Sequence, residues 1–110
     1  MNIIIPLSAS ALKYAVELCE ATPNIKVGVA LSNYSDIDST FDKMTDYVDC
    51  CQFKQFGTSI EKYIDFKNGS QIRIVVPTEN MKGSRWNMLI LDESIDDKIF
   101  RKVLKRCVTR

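Results

Sequence analysis

Histidine does not occur anywhere in the 110 residues. Its absence removes Ser-His-Asp and Cys-His nucleophile systems, together with the usual His-containing zinc sites. The four cysteines, Cys19, Cys50, Cys51 and Cys107, form no CxxC pair. With no secretory signal ahead of them, they are expected to be reduced thiols in a cytosolic protein rather than a disulfide framework. Long apolar runs are missing too, and none approaches the roughly 20 residues that a bilayer span requires. Low-complexity segments and internal repeats are also lacking, so the chain reads as one domain, residues 1–110, with a single core.

What is present is unevenly charged. The formal net charge is +1, but residues 1–66 carry five basic and nine acidic side chains, and residues 67–110 carry ten basic and five acidic ones. The first part is therefore −4 and the second +5. A basic final third suits contact with nucleic acid or an acidic partner, and equally a solvated helix face.

The stretch that organises the chain is 87–93, where Met88, Leu89, Ile90 and Leu91 run straight into Asp92 and Glu93. An unbroken apolar run suits a strand covered on both faces, as in a parallel α/β sheet, although periodicity alone also allows a short buried helix. Ligands in such sheets collect at the carboxyl ends of the strands. Two adjacent acids there suit phosphoryl transfer, one holding hydrated Mg²⁺ and the other orienting water. The alternative is that Asp92 and Glu93 open the next helix, where acids are favoured by the helix dipole.

The remaining elements follow from periodicity and punctuation. Residues 2–5 form a β-branched run stopped by Pro6, which predicts a buried first strand. Ser8 or Ser10 then caps a helix reaching about Ala21, with Leu7, Ala11, Tyr14, Ala15 and Leu18 on its apolar side and Lys13, Glu17 and Glu20 opposite. Residues 26–31 predict a second strand. Ser35 or Asp36 caps a second helix with Ile37, Phe41, Met44 and Val48 on one side and Asp38, Asp42, Asp46 and Asp49 on the other. Residues 60–66 and 71–76 predict a β-hairpin, because the Asn68-Gly69 pair between them tolerates positive φ. A polar loop, 77–86, leads to the strand at 87. The final helix, 95–108, sets Ile95, Ile99, Val103, Leu104 and Cys107 against Lys98, Arg101, Lys102, Lys105 and Arg106. This order predicts an α/β fold, a three-layer α/β/α sandwich with a mixed, mainly parallel sheet and an inserted hairpin.

The run 64–72, Ile-Asp-Phe-Lys-Asn-Gly-Ser-Gln-Ile, then Lys82-Gly83-Ser84-Arg85, then 88–93 resembles the ATPase domain of phage terminase large subunits, a RecA-type P-loop fold. The resemblance covers residues 11–93 approximately and makes the chain a single truncated terminase-ATPase-like domain. It implies that Asp92 is the metal-binding acid of a Walker B strand and Glu93 the acid that activates water, with Mg²⁺ and ATP as cofactors where the site is active. The phosphate-binding half departs from the family. Residues 6–11, Pro-Leu-Ser-Ala-Ser-Ala, replace the Walker A loop and lack its glycines and lysine, leaving Ser8, Ser10 and helix amides as weak anion ligands. The segment after Walker B that couples hydrolysis to movement and the nuclease domain are not found either.

The resemblance implies a phage or prophage protein, in the cytoplasm of the bacterial host, and the altered 6–11 loop predicts that it has lost hydrolysis. It would act by binding a protein partner, either a packaging component or a host factor. Two alternatives stand beside this. One is a nucleotide-hydrolysing fragment completed by oligomerisation, with a neighbour supplying a basic group such as Arg85. The other is a DNA-binding accessory protein using Lys98, Arg101, Lys102, Lys105 and Arg106.

Overall fold

A computed structural model describes residues 3–48, 53–57, 61–77 and 86–95. The elements run in the order β1 (Ile3–Pro6), α1 (Ala9–Ala21), β2 (Lys26–Ala30), a 3-10 turn (Tyr34–Asp36), α2 (Ile37–Tyr47), β3 (Phe53–Gly57), β4 (Glu61–Phe66), β5 (Gln71–Val75) and β6 (Met88–Leu91). The strands form one six-stranded sheet in the order β1-β6-β2-β5-β4-β3. The first four of these strands are parallel, whereas β4 is antiparallel to β5 and β3 antiparallel to β4. The chain is thus an α/β protein with a mixed, mainly parallel sheet.

The apolar run at Met88 is a strand, and it is enclosed on all sides. It pairs with β1 through Ile4↔Leu89 and with β2 through Val27↔Met88, so both edges of its backbone are hydrogen-bonded. Alternate residues point to opposite faces. Met88 and Ile90 join the core beneath the helices, and Leu89 joins a second cluster on the other face with Ala30, Val75 and Trp86.

Both helices cover the same face, since one core unites Leu12, Val16 and Cys19 of α1 with Ile37, Phe41 and Met44 of α2 over Val27, Val29, Ile72 and Ile74 of the sheet. The opposite face carries the smaller Trp86 cluster, with Leu91 and Ile95 packed against it. The predicted final helix, which would supply the third layer, lies outside the described residues beyond Ile95. Gly28 faces the same side, and a Cβ there would sit 2.3 Å from the Trp86 ring. Only glycine lets that indole lie flat on β2.

Several expectations need correction. The first strand is not buried: β1 lies at the edge of the sheet, and Ile4 is 44% exposed. Nor does Pro6 stop it, because Pro6 is paired with Leu91 as the strand's last residue. Leu7 donates its N–H to the Leu91 carbonyl at 2.9 Å, so by alternation the nitrogen of Pro6 faces away from β6, where a missing donor costs no ladder bond. Tyr14 does not belong to the apolar side of α1; it is 50% exposed, and Leu12, Val16 and Cys19 take the buried positions with Ala11 and Ala15. The strand β3 has no counterpart in the sequence pattern. Its sequence, Phe-Lys-Gln-Phe-Gly, mixes polar and apolar residues in the way common at sheet edges.

The hairpin forms where Asn68-Gly69 predicts it. Gly69 has φ +92°, its N–H donates to the Phe66 carbonyl at 3.1 Å, and Phe66 N–H donates to Ser70 at 2.9 Å. The turn also fastens the hairpin to the rest of the fold. Asn68 Nδ2 donates to the Cys19 carbonyl in the last turn of α1 at 2.7 Å, and Ser70 Oγ donates to the Thr22 carbonyl at 2.6 Å while accepting Ile25 N–H at 3.0 Å. Helix carbonyls left over at a C-terminus need such partners. The second helix has the apolar side predicted for it, with Thr40 added, and Asp38, Asp42 and Asp46 are exposed. Asp49 lies outside the described residues.

Because Leu89 and Ile90 point into different clusters, truncating either tests a different half of the core. Leu89→Ala and Ile90→Ala are each expected to lower stability by about 2–5 kcal/mol in urea unfolding, the range for large-to-small core changes. Gly28→Ala is expected to cost about 1–3 kcal/mol by overpacking against Trp86.

Candidate functional site

Four parallel strands end along one edge of the sheet, and the residues that follow them define the place where a ligand would meet an α/β fold. Leu7 and Ser8 follow β1, Leu31 and Ser32 follow β2, Val76 and Pro77 follow β5, and Asp92 and Glu93 follow β6. The sequence-predicted acids and the serines Ser8 and Ser10 are therefore brought to a common edge. The chain also diverges here: α1 and α2 leave toward one face, and Ile95 packs on the other.

Asp92 is held firmly. Its Oδ2 accepts the backbone N–H of Ser32 at 3.2 Å and the Ser32 hydroxyl at 2.8 Å, and its Oδ1 accepts Ser94 N–H at 2.9 Å. The Asp92 N–H donates to the Ala30 carbonyl at 3.0 Å, and its carbonyl accepts Ile95 N–H at 3.1 Å. The carboxylate thus closes the turn that leaves β6 and ties it to the end of β2. The Ser94 amide, followed by the Ser32 hydroxyl and amide, holds its pKa below the ordinary carboxylate value despite some opposing desolvation. Glu93 is exposed in the same turn.

Ser32 is the residue that sequence reading missed. It lies in the short run Leu31-Ser32-Asn33, which carries no motif, and only the pairing of β2 with β6 reveals that it faces Asp92.

The serines near β1 are occupied differently. Ser8 is the N-cap of α1, with its Oγ accepting Ala11 N–H at 3.0 Å and its carbonyl accepting Leu12 N–H at 3.1 Å. Ser10 sits exposed in the first turn. Only Leu7 and Ser8 separate β1 from α1, and Leu7 N–H is already given to Leu91. A phosphate-wrapping loop needs a run of free amides and, in P-loop proteins, a lysine reaching the terminal phosphates. This link offers neither.

A magnesium-nucleotide fits these residues poorly. Mg²⁺ is held by carboxylates together with substrate phosphates, and here Asp92 already accepts three hydrogen bonds while, among the described residues, no phosphate cradle stands beside it. Among the described residues, no group of three or more Cys, Asp or Glu side chains is arranged to hold a metal. Arg85, Lys98, Arg101, Lys102, Lys105 and Arg106 lie outside the described residues. No described helix is long and apolar enough to cross a membrane. Comparison with protein-family models, curated proteins and solved structures finds no match. The likeness to terminase ATPase domains therefore rests on the order of the residue motifs.

The lowered pKa of Asp92 gives stability a defined pH dependence. A carboxylate with a depressed folded-state pKa stabilises the fold above its unfolded value, about 3.9, and this contribution is lost as pH falls through the folded value. Asp92→Asn is therefore expected to flatten the acid limb of the stability–pH profile below about pH 4 relative to the parent chain. Asp92→Ala, which removes the cap-like acceptor, is expected to cost about 0.5–2 kcal/mol near neutrality, read from urea midpoints.

Proposed function

We propose that this chain is a non-hydrolytic binding protein of phage or prophage origin, built on a terminase-like ATPase sheet whose nucleotide site has degenerated. It acts through a protein partner, either a packaging component or a host factor. The observation that carries the non-hydrolytic part is the two-residue connection between β1 and α1, closed by Ser8 as a helix cap. Hydrolysis of a phosphoanhydride depends on positioning and electrostatic stabilisation of the transferred group. A helix end that is finished by its own serine and lacks a lysine supplies little of either. The hydrogen bonds to Asp92 support the same reading, since its carboxylate is committed to the β2–β6 connection.

The phage setting and the identity of the partner class follow from the terminase resemblance. On this reading, the surfaces kept from the motor domain are those that met other packaging components, and no cofactor is required. The sequence pattern of Lys98, Arg101, Lys102, Lys105 and Arg106 suits a solvated helix face or a phosphate contact, and salt-sensitive DNA binding would move the assignment toward an accessory DNA-binding role.

Turnover and partner recovery test the proposal together. The purified protein with Mg²⁺ and ATP is expected to release no phosphate above background. Magnesium-dependent hydrolysis that disappears in Asp92→Asn and Glu93→Gln would overturn the assignment and establish an enzyme completed by oligomerisation. Affinity capture from infected cells is expected to recover a discrete protein that binds again when both components are purified.

A further inference from the structure

Asn68 is the only one of the six asparagines that is followed by glycine; the others precede Ile, Tyr or Met. Glycine has no side chain to hinder attack by its own backbone nitrogen, so Asn-Gly is the pair at which asparagine is chemically least durable. In the fold this residue is also a fastener. Its Nδ2 donates to the carbonyls of Cys19 at 2.7 Å and Glu20 at 3.5 Å, at the end of α1, and its Oδ1 accepts Ser70 N–H at 3.0 Å.

We propose that Asn68 is a site of spontaneous deamidation that the folded hairpin turn keeps closed, and that its reaction irreversibly unfastens the β4–β5 turn from α1. The Gly69 main-chain nitrogen loses its proton and attacks Cγ of Asn68. The N–Cγ bond forms, the Cγ–Nδ2 bond breaks, and ammonia leaves with the displaced proton, giving a five-membered succinimide. Water then opens either imide carbonyl, yielding aspartate or isoaspartate. Overall, amide plus water becomes carboxylate plus ammonium, with no oxidant or reductant.

The native turn opposes the first step at both reacting ends. The proton that must leave Gly69 is donated to the Phe66 carbonyl at 3.1 Å, and Gly69 is held at φ +92°. The leaving amide is pinned against α1. Ser70 keeps the turn docked through Thr22 and Ile25, so the reacting geometry requires the turn to lift away from the helix. Once the reaction has occurred, docking does not recover. A carboxylate oxygen replaces the Nδ2 donor opposite the carbonyls of Cys19 and Glu20, and the C-terminal end of a helix already carries partial negative charge. The isoaspartate product also adds a methylene to the backbone of a turn whose hydrogen bonds have no slack for it.

Asn68 deamidation is followed by mass spectrometry and peptide mapping at mildly alkaline pH, in native buffer and in denaturing urea. The folded chain is expected to react at least about tenfold more slowly than the unfolded one, as a local opening equilibrium requires. Ser70→Ala, which leaves Asn68-Gly69 intact but loosens the turn, is expected to raise the native rate. Where Ser70→Ala does not fold, sub-denaturing urea applied to the parent chain supplies the same loosening. The Asn68→Asp variant, or deamidated parent protein returned to native buffer, is expected to show a lower urea midpoint. Equal rates in the folded and unfolded chains, or a deamidated product with an unchanged midpoint, would overturn the proposal.

Discussion

The fold depends on enclosing β6. Four apolar residues with no polar alternation can be tolerated only where both faces and both edges are covered, and two strands, two helices and one tryptophan answer those demands. The edges are met by β1 and β2, the first supplying a short β-branched strand and the second a run of Val27, Gly28, Val29 and Ala30. One face is met by α1 and α2 side by side. The other is met in part by Trp86, and that choice reaches into β2, since an indole lying against the sheet excludes any side chain at position 28. A local decision about four residues thereby fixes a glycine sixty residues away.

The same enclosure determines what the acids at the end of β6 do. Asp92 is the first residue to emerge from the buried strand, and its backbone and carboxylate are taken up at once by β2 and by the turn that follows. Parallel strands cannot be joined by a tight turn, so their ends need some other tie where the chain departs in different directions. Asp92 supplies that tie between β6 and β2. An acid at the carboxyl end of a buried strand is compatible with catalysis and with this structural role, and the two roles differ in whether the carboxylate oxygens remain open to a ligand.

Much of this was legible in the sequence. The strand at Met88, the second helix face and the hairpin at Asn68-Gly69 are all readable because each rests on a local constraint: unbroken apolar character, helical spacing, or a turn needing positive φ. What was not legible depends on tertiary placement. The β-branched residues of β1 point to burial, but nothing local distinguishes an edge from a central strand. Spacing alone permits several overlapping stripes on α1, one of which includes Tyr14, and the sheet selects Leu12, Val16 and Cys19. The Ser32–Asp92 contact joins residues sixty positions apart that no motif links. Even the hairpin, read correctly as a turn, gave no sign that Asn68 and Ser70 would serve the end of α1 and the chain leaving it.

That last contact bears on function through the helix it serves. A helix that receives a nucleotide phosphate is left unfinished at its N-terminus, because the amides that its own chain does not satisfy are what the phosphate binds. In α1 the Ala11 amide of the first turn is taken up by Ser8, and the carbonyls of Cys19 and Glu20 in the last turn are met by Asn68. Each end is capped from within the chain, and the two-residue link from β1 leaves no room for a phosphate-wrapping loop at the first of them. Converting this helix into a phosphate site would require both a longer connection and removal of the serine cap. The difference from a P-loop is therefore architectural: adding a lysine alone would not create a phosphate grip, since the two residues between β1 and α1 are already committed to ending the strand and capping the helix.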